Sequence, residues 1–449
     1  MKKQVRIIVV GGNAAGPAAA AKAKRINPNA DVILFEASEF ISTGTCEMPY
    51  VLSGEIDDYR KIVFFSSESF MNKKGVKVFV KHLVEEIDSQ KKQVTVKNLL
   101  DDQISTFSYD TLILTTGSKA RMLPVFDKQV KNIFTFKSVN DLIRINKYLS
   151  EGKVKNALVI GSGYIGLEVV ESLIKRNVKV KVVEKESRPL PAEDKRFGDE
   201  ILKLFHDYNV EFIGDVKETE PVLSDEKLLA VKVDENIIET DLVLVSVGFE
   251  PDNFLARLAK IDLGKSGGIK IDQYAKTSNR FIYAAGDNVE VLNAVTGKQD
   301  YIPLATHAYN LGHTAGENAA GGNVKYDPFV KNISVKIFDK YFASVGLSKL
   351  EAKSNGFDVK IISVKARNLV AVMPRSDFVL GNLLVDKNKN KILGASFWGG
   401  KEVSGYADII SSLIKLNAPA NMLSKINYNY TPPLSPFINL LSIIGKQVK

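Results

Sequence analysis

Cysteine is the scarcest chemistry in this chain: Cys46 is the only one among 449 residues. An internal disulfide is therefore excluded, which fits a reducing, cytoplasmic setting where a reactive thiol persists. Histidine is nearly as rare, with four, the last of them His313. No apolar run approaches the ~20 residues of a membrane span. The opening "MKKQVRIIVVGG" carries an apolar run too short for a secretory signal and reads as a buried strand. Near the other end, "FINLLSIIG" reads as a core or interface segment. The net charge is +9, but no basic block interleaves with aromatics. That pattern excludes nucleic-acid binding and favours small anionic partners. No low-complexity linker interrupts the chain, so the roughly three domains expected at ~150 residues each pack together. No metal site is expected.

What the chain does have is glycine in two matching places. "VRIIVVGGNAAGPAAAAKAKR" runs on to "ADVILFE", and "KNALVIGSGYIGLEVVESLIKR" runs on to "VKVKVVEK". Each has an apolar strand, a glycine-rich turn, an amphipathic helix and a second strand ending in glutamate, the grammar of a dinucleotide-binding βαβ unit. Gly161 allows the sharp turn, Gly163 lets backbone approach a pyrophosphate, and Gly166 lets helix pack on sheet. Glu184 then stands where a carboxylate binds ribose hydroxyls. Gly11, Gly16 and Glu36 fill the matching places in the first unit, with Asn13 where the middle glycine is usual. Pro17 is tolerated in a helix's first turn. Two complete units predict two bound dinucleotides. "YDTLILTTGS" adds a strand leading to Thr116 and Gly117, and "RFIYAAGDNVE" a strand delivering Gly286 and Asp287, an acid suited to a polyol hydroxyl.

Around Cys46 the sequence reads "FISTGTCEMPYVLSGE". Small polar residues suggest a loop and "MPY" the start of a helix, whose N-terminal field would favour the thiolate. A small buried thiol remains the alternative.

In order, spacing and residue type, these segments resemble the FAD-dependent pyridine nucleotide-disulfide oxidoreductases almost end to end. The resemblance implies an α/β fold with two Rossmann-like dinucleotide-binding domains and a C-terminal α+β dimerisation domain. The FAD-binding domain would comprise 1–117 and 248–323, the NAD(P)-binding domain 118–247, and the interface domain of a homodimer 324–449. FAD would be lined by Gly11, Gly12, Ala15, Gly16, Glu36, Ser42, Thr116, Gly117, Gly248, Gly286, Asp287, Pro303 and Ala305. NAD(P)H would lie on Gly161, Gly163, Tyr164, Ile165, Gly166, Glu168 and Glu184, the last favouring NADH by repelling a 2′-phosphate.

Members with two redox cysteines also carry a C-terminal His–Glu dyad, and this chain has neither feature. It is similar instead to the single-cysteine group: coenzyme A-disulfide reductases, NADH oxidases and peroxidases, and persulfide reductases. Ser42 and Cys46 match that group's Ser-Phe-x-x-Cys segment, with Thr43 in place of Phe and Glu47 where glycine or alanine is common. "NYTPPLSPFINLLSIIG" resembles the reductases' C-terminal Tyr-x-Pro-Pro, which implies that Tyr430 reaches across the dimer toward the cysteine. Lys22, Arg25 and Ser42 occupy places that contact CoA. Two departures stand out. Ala14 replaces the histidine of the oxidases and peroxidases, and "AVMPRSD" replaces a Tyr-Tyr-Pro-Gly stretch, leaving Arg375 as an anion-binding candidate.

Three functions follow. The first is NAD(P)H-dependent reduction of CoA disulfide, CoA persulfide or a related small disulfide through Cys46, with CoA held there as a mixed disulfide. The second is NADH oxidation by oxygen or peroxide through a Cys46 sulfenic acid. The third is reduction of a redox protein with Cys46 idle.

Overall fold

The computed structural model describes residues 4–128 and 130–448. Its first sheet is parallel, in the order Ile282–Ala284, Thr111–Leu114, Arg6–Val10, Asp31–Glu36, Lys77–Val80. Ile7, Ile8 and Val9 are fully buried, as a parallel strand covered on both faces must be. The strand Arg6–Val10 pairs with Asp31–Glu36 on one side and Thr111–Leu114 on the other. The glycine turn after it therefore opens at the switch point, where parallel α/β sheets bind ligands. Ile282–Ala284 reaches this sheet from far along the chain, and Ser118–Ala120 pairs antiparallel with Phe249–Pro251 below it.

A second parallel sheet repeats the plan. Its order is Ile133–Phe134, Leu242–Val245, Asn156–Ile160, Lys179–Val183, Glu211–Ile213. The third sheet is antiparallel, ordered Asn332–Ile337, Lys340–Gly346, Lys391–Gly399, Phe378–Asp386, Val359–Arg367, with the helix Glu402–Lys415 packed on it. Among the described residues no helix is long and apolar enough to cross a membrane.

Two packing features position the site. The alanine-rich helix Ala15–Ile26 lies against the helix Ala305–Ala319. A Cβ on Gly312 would come 2.4 Å from the Ala15 carbonyl oxygen, and one on Gly316 2.1 Å from that of Ala19. Only backbone-to-backbone contact fits there. The short helix Met48–Leu52, just past Cys46, buries Met48, Val51 and Leu52 in one core with Leu167, Val170 and Leu173 of the helix Tyr164–Lys175 and with Phe342 and Trp398 of the third sheet.

Gly316→Ala is expected to lower stability by about 1–3 kcal/mol, because the added carbon overpacks a fixed backbone contact. The urea midpoint should fall at unchanged m-value. An unchanged midpoint would show that the helices can separate at no cost.

Candidate functional site

Both glycine turns are built by close approach. Gly11 and Gly161 have φ of +106° and +97°, a region open to glycine. A Cβ on Gly16 would lie 1.8 Å from the Gly11 carbonyl oxygen, and one on Gly166 2.2 Å from that of Gly161. Gly12 is boxed against Ile41 and Glu36. Gly163 differs, since a Cβ there meets nothing within 4 Å. Its missing side chain leaves room above the turn. The helices that open at Ala15, Tyr164 and Ala305 have no side-chain cap, whereas those at Ser67, Val139 and Lys349 are closed by capping boxes. Free first-turn N–H groups thus occur where phosphates or an anionic ring edge are expected, Pro303 leading into the third.

The acids hold these turns and keep acceptor capacity. Glu36 accepts from the Gly12 N–H at 2.6 Å and the Ser38 N–H at 2.7 Å, which leaves two of a carboxylate's roughly four acceptor positions. Buried Glu184 accepts from the Ser162 N–H at 2.9 Å, the Ser162 hydroxyl at 2.7 Å and the Glu186 N–H at 3.2 Å. Among the described residues three buried hydroxyls lack partners: Tyr109, away from both turns, Tyr301, within the field of Asp287, and Ser246, whose backbone and Cβ flank Gly161 and Gly166. Gly117, Gly248 and Gly286 have φ of +71°, +101° and +102°, and the Thr116 hydroxyl donates to the Asp252 carbonyl at 2.6 Å. Uncapped helices, spare carboxylate acceptors and orphaned hydroxyls fit a flavin dinucleotide at the first turn and NAD(P)H at the second.

Cys46 sits between them. The strand Ile41–Thr43 leads into a tight turn, Thr45–Glu47, and then the helix Met48–Leu52. Ser42, at φ +51°, donates its N–H to the Gly12 carbonyl at 2.8 Å. The Thr43 N–H and hydroxyl both donate to Asn13 Oδ1, at 3.2 and 3.1 Å. Asn13 thus uses the place of the missing glycine to tie the phosphate turn to the thiol segment. The expected thiolate-favouring field is not what the structure shows. Cys46 opens to solvent on one side, but burial by the rest of its surroundings, then Glu47, Glu168 and Asp287, push its titration up, and only Lys137 pulls it down. A five-residue helix has too few aligned peptides to outweigh three carboxylates.

Glu168, near the start of the nucleotide-binding helix, is pushed up to about 7, first by burial and then by the Glu171 charge. Lys137 was not legible in the sequence. Its ammonium pairs with Asp287 at 3.2 Å and lies over the Phe249 ring at 4.2 Å. In the sequence it is merely the residue before the Ser138 helix cap, and only the fold brings it to Asp287. Tyr50 was also missed. Burial and the charges of Glu168 and Glu171 raise its titration.

Other predicted residues lie farther out. The Tyr164 hydroxyl donates to Glu193 at 3.1 Å, and its ring packs on Phe342. Ile165 lines the same core. Lys22 pairs with Glu317 at 2.8 Å and Arg25 is exposed one turn on; together their charges and burial lower the titration of His313. Arg375 is exposed on the turn between two strands of the third sheet, at φ +66°. Tyr430 is exposed, edge-on to Phe437 at 5.3 Å.

This arrangement is that of a protein with two dinucleotide-binding turns and a cysteine placed between them. The chain belongs to the pyridine nucleotide-disulphide oxidoreductases, whose model matches residues 5–312 and whose dimerisation-domain model matches 333–440. Within that family it is an FAD-dependent NAD(P)H oxidoreductase of the coenzyme A-disulfide reductase-like group. It is 26% identical to the NAD(P)H sulfur oxidoreductase (CoA-dependent) of Pyrococcus abyssi, over 100% of this chain and 99% of that one. The reduced CoADR-RHD of Bacillus anthracis superposes with a TM-score of 0.95 at 29% identity, over 99% of this chain and 80% of that one. The water-forming NADH oxidase of Lactobacillus brevis, bound to NADH, gives 0.92 at 29%, over 99% and 98%.

Glu168 makes stability depend on pH. Folding raises its pKa from the usual 4.5 to about 7. Between those values the folded chain keeps a proton that the unfolded chain releases, so stability falls as pH rises through this window, by at most about 3 kcal/mol. Glu168→Gln should therefore match the native chain near pH 4 and exceed it at pH 8, in urea unfolding at both. Equal differences at the two pH values would refute the assignment. Gly163→Ala should leave stability within about 0.5 kcal/mol yet weaken NAD(P)H binding, because the methyl enters the open room above the turn. Equilibrium titration of the flavin-loaded enzyme checks this.

Proposed function

We propose that the chain reduces a small disulfide, with CoA disulfide or CoA persulfide as the leading candidates, through Cys46. One observation carries the reading. The charge of Glu168, on the NAD(P)-side helix, and those of Asp287 and Lys137, beside the flavin-side turn, all act on the same thiol. A sulfur at that meeting point is within the influence of both nucleotide sites. Flavin, when bound, supplies reversible two-electron chemistry, hydride arriving from NAD(P)H, with NADH favoured by Glu184.

The residues of this chain do the rest. Residues 1–117 with 248–323 hold FAD, 118–247 hold NAD(P)H, and 324–449 form the homodimer interface. Lys137 stabilises negative charge near the sulfur. Tyr430, Leu434, Phe437 and Ile438 are exposed together, and a second copy covers them, bringing Tyr430 of one copy to the thiol of the other, where its hydroxyl protonates a departing thiolate. Lys22, Arg25, Ser42 and Arg375 supply cationic and polar contacts for CoA phosphates. The relative from Pyrococcus abyssi, described as CoA-dependent, supports this substrate class. The enzyme works in the reducing cytoplasm that its single thiol suits.

Oxygen or peroxide reduction through a sulfenic acid is the competing reading. Ala14 caps the first helix without a side-chain contact and offers no acid–base group there. Reduction of a redox protein with Cys46 idle is the third.

Anaerobic NADH titration with intact mass before and after separates the three. The disulfide reading expects a CoA-sized mass on the oxidised protein, lost with the first two electrons. It also expects Cys46→Ser to abolish disulfide reduction while NADH still bleaches the flavin. Loss of one oxygen indicates the sulfenic acid. Flavin reduction with no thiol-linked mass change, and full activity in Cys46→Ser, would leave only a redox-protein acceptor.

A further inference from the structure

Disulfide reduction consumes one proton beyond the one that the hydride carries, and Tyr430, which passes a proton to the departing thiolate, must itself be resupplied. The balance is NAD(P)H + H⁺ + RSSR′ → NAD(P)⁺ + RSH + R′SH. The hydride brings two electrons and one proton, while the two thiols hold two protons. One proton per turnover must therefore come from solvent and reach a sulfur that stands among carboxylates.

A cavity of about 10 Å³, the size of one water, lies where three elements meet. Tyr50 and Glu55 face it from the thiol-bearing segment, Glu168, Glu171 and Lys175 from the nucleotide-binding helix, and Lys336 from the first strand of the third sheet. Its rim is wet: Lys175 pairs with Glu55, and both are partly exposed. Its middle is fixed. Glu171 is buried and bound by Lys175 at 2.7 Å, by Lys336, and by the Phe338 N–H at 2.7 Å. The Ser172 hydroxyl, also on the lining, donates to the Pro49 carbonyl at 2.9 Å and holds the two helices at this spacing. Glu168 is the inner end. Both lysines are engaged by Glu171 and Glu55, and only burial and the Glu171 charge act on the Glu168 carboxyl. The charge of Glu168 also acts on Cys46, whose following helix packs against the helix that carries Glu168.

We propose that this cavity admits the consumed proton, and that Glu168 holds it and passes it toward Cys46. The proposal rests on the disulfide reading above. When the S–S bond opens, the electron pair stays on sulfur as thiolate. The Glu168 O–H then breaks and an S–H forms on Cys46, whose proton goes on by way of Tyr430 to the R′S⁻ leaving group when the thiol opens the next disulfide, and the Glu168 carboxylate recovers a proton from water through the cavity. A carboxyl titrating near neutral pH can both release and recover a proton under those conditions, and Tyr50 and Ser172 offer hydroxyls along the way. Lys175 and Lys336 both bind the Glu171 carboxylate, and so hold it in the middle of the lining.

The test uses the flavin-loaded protein without substrate, following iodoacetamide alkylation of Cys46 against pH by intact mass. The native chain should show two inflections, one from the thiol and one from Glu168. Glu168→Gln should show one and alkylate about threefold to tenfold faster at pH 8, because a negative neighbour is gone. Glu171→Gln, which keeps the Phe338 contact, should shift the Glu168 inflection to lower pH and leave the thiol's in place. In turnover, Glu168→Gln should slow thiol release and regain rate with added acetic acid or imidazolium, while the native chain gains nothing. An alkylation profile in Glu168→Gln identical to the native one, or a slow variant that no weak acid rescues, overturns the proposal. Failure of the disulfide reading shows separately, as full disulfide reduction by Cys46→Ser.

Discussion

The contact between the helix Met48–Leu52 and the helix Tyr164–Lys175 is the one on which the rest of the site depends. Met48, Val51 and Leu52 are buried in the core of the second nucleotide-binding unit rather than the first. At about 1.5–3 kcal/mol for each buried side chain, that is several kcal/mol holding two units together. A helix so short leaves carbonyl groups unpaired at its end. The Ser172 hydroxyl meets that of Pro49, and the Arg176 guanidinium meets that of Leu52 at 2.8 Å. The thiol is thus anchored twice, by Ser42, Thr43 and Asn13 on the flavin side and by this helix on the NAD(P) side.

Such convergence has an electrostatic cost. Bringing Glu47, Glu168 and Asp287 near one sulfur raises the thiol rather than activating it, and Lys137 offsets only part of that. Burial, and then the charge of Glu171, separately raise Glu168 toward neutrality. The charge of an ionised Glu168 opposes proton loss from the thiol. A thiol in this field becomes a better leaving group when positive charge or a proton is delivered.

The glycines and the helix caps shape the surface in different ways. The helices at Ala15, Tyr164 and Ala305, which face the two nucleotide turns, begin without side-chain caps, as do those at Phe254 and Glu402 elsewhere, while Ser66, Ser138 and Ser348 close three others with capping boxes. Gly312 and Gly316 serve a different end, since they let two helices touch backbone to backbone and so bring the uncapped helix at Ala305 to the cleft.

Much of this was legible in the residues themselves. A βαβ turn is local, so Gly11, Gly16 and Glu36, or Gly161, Gly166 and Glu184, reveal their geometry within about thirty residues of chain. Cys46 stood out because it is alone. Lys137, Tyr50, Glu171 and Lys336 did not, because each is an ordinary residue in its own segment. Lys137 acquires a role only through Asp287, 150 positions away, and Lys336 only through Glu171, 165 positions away. The helix start after Cys46 was also legible, but its effect on the thiol was misread, because a field depends on every charge that folding brings near. Local backbone chemistry therefore determined the nucleotide turns, and the sequence alone singled out the one cysteine. Tertiary structure alone decided which charges surround that sulfur, since Coulombic interaction follows distance in space and not distance along the chain.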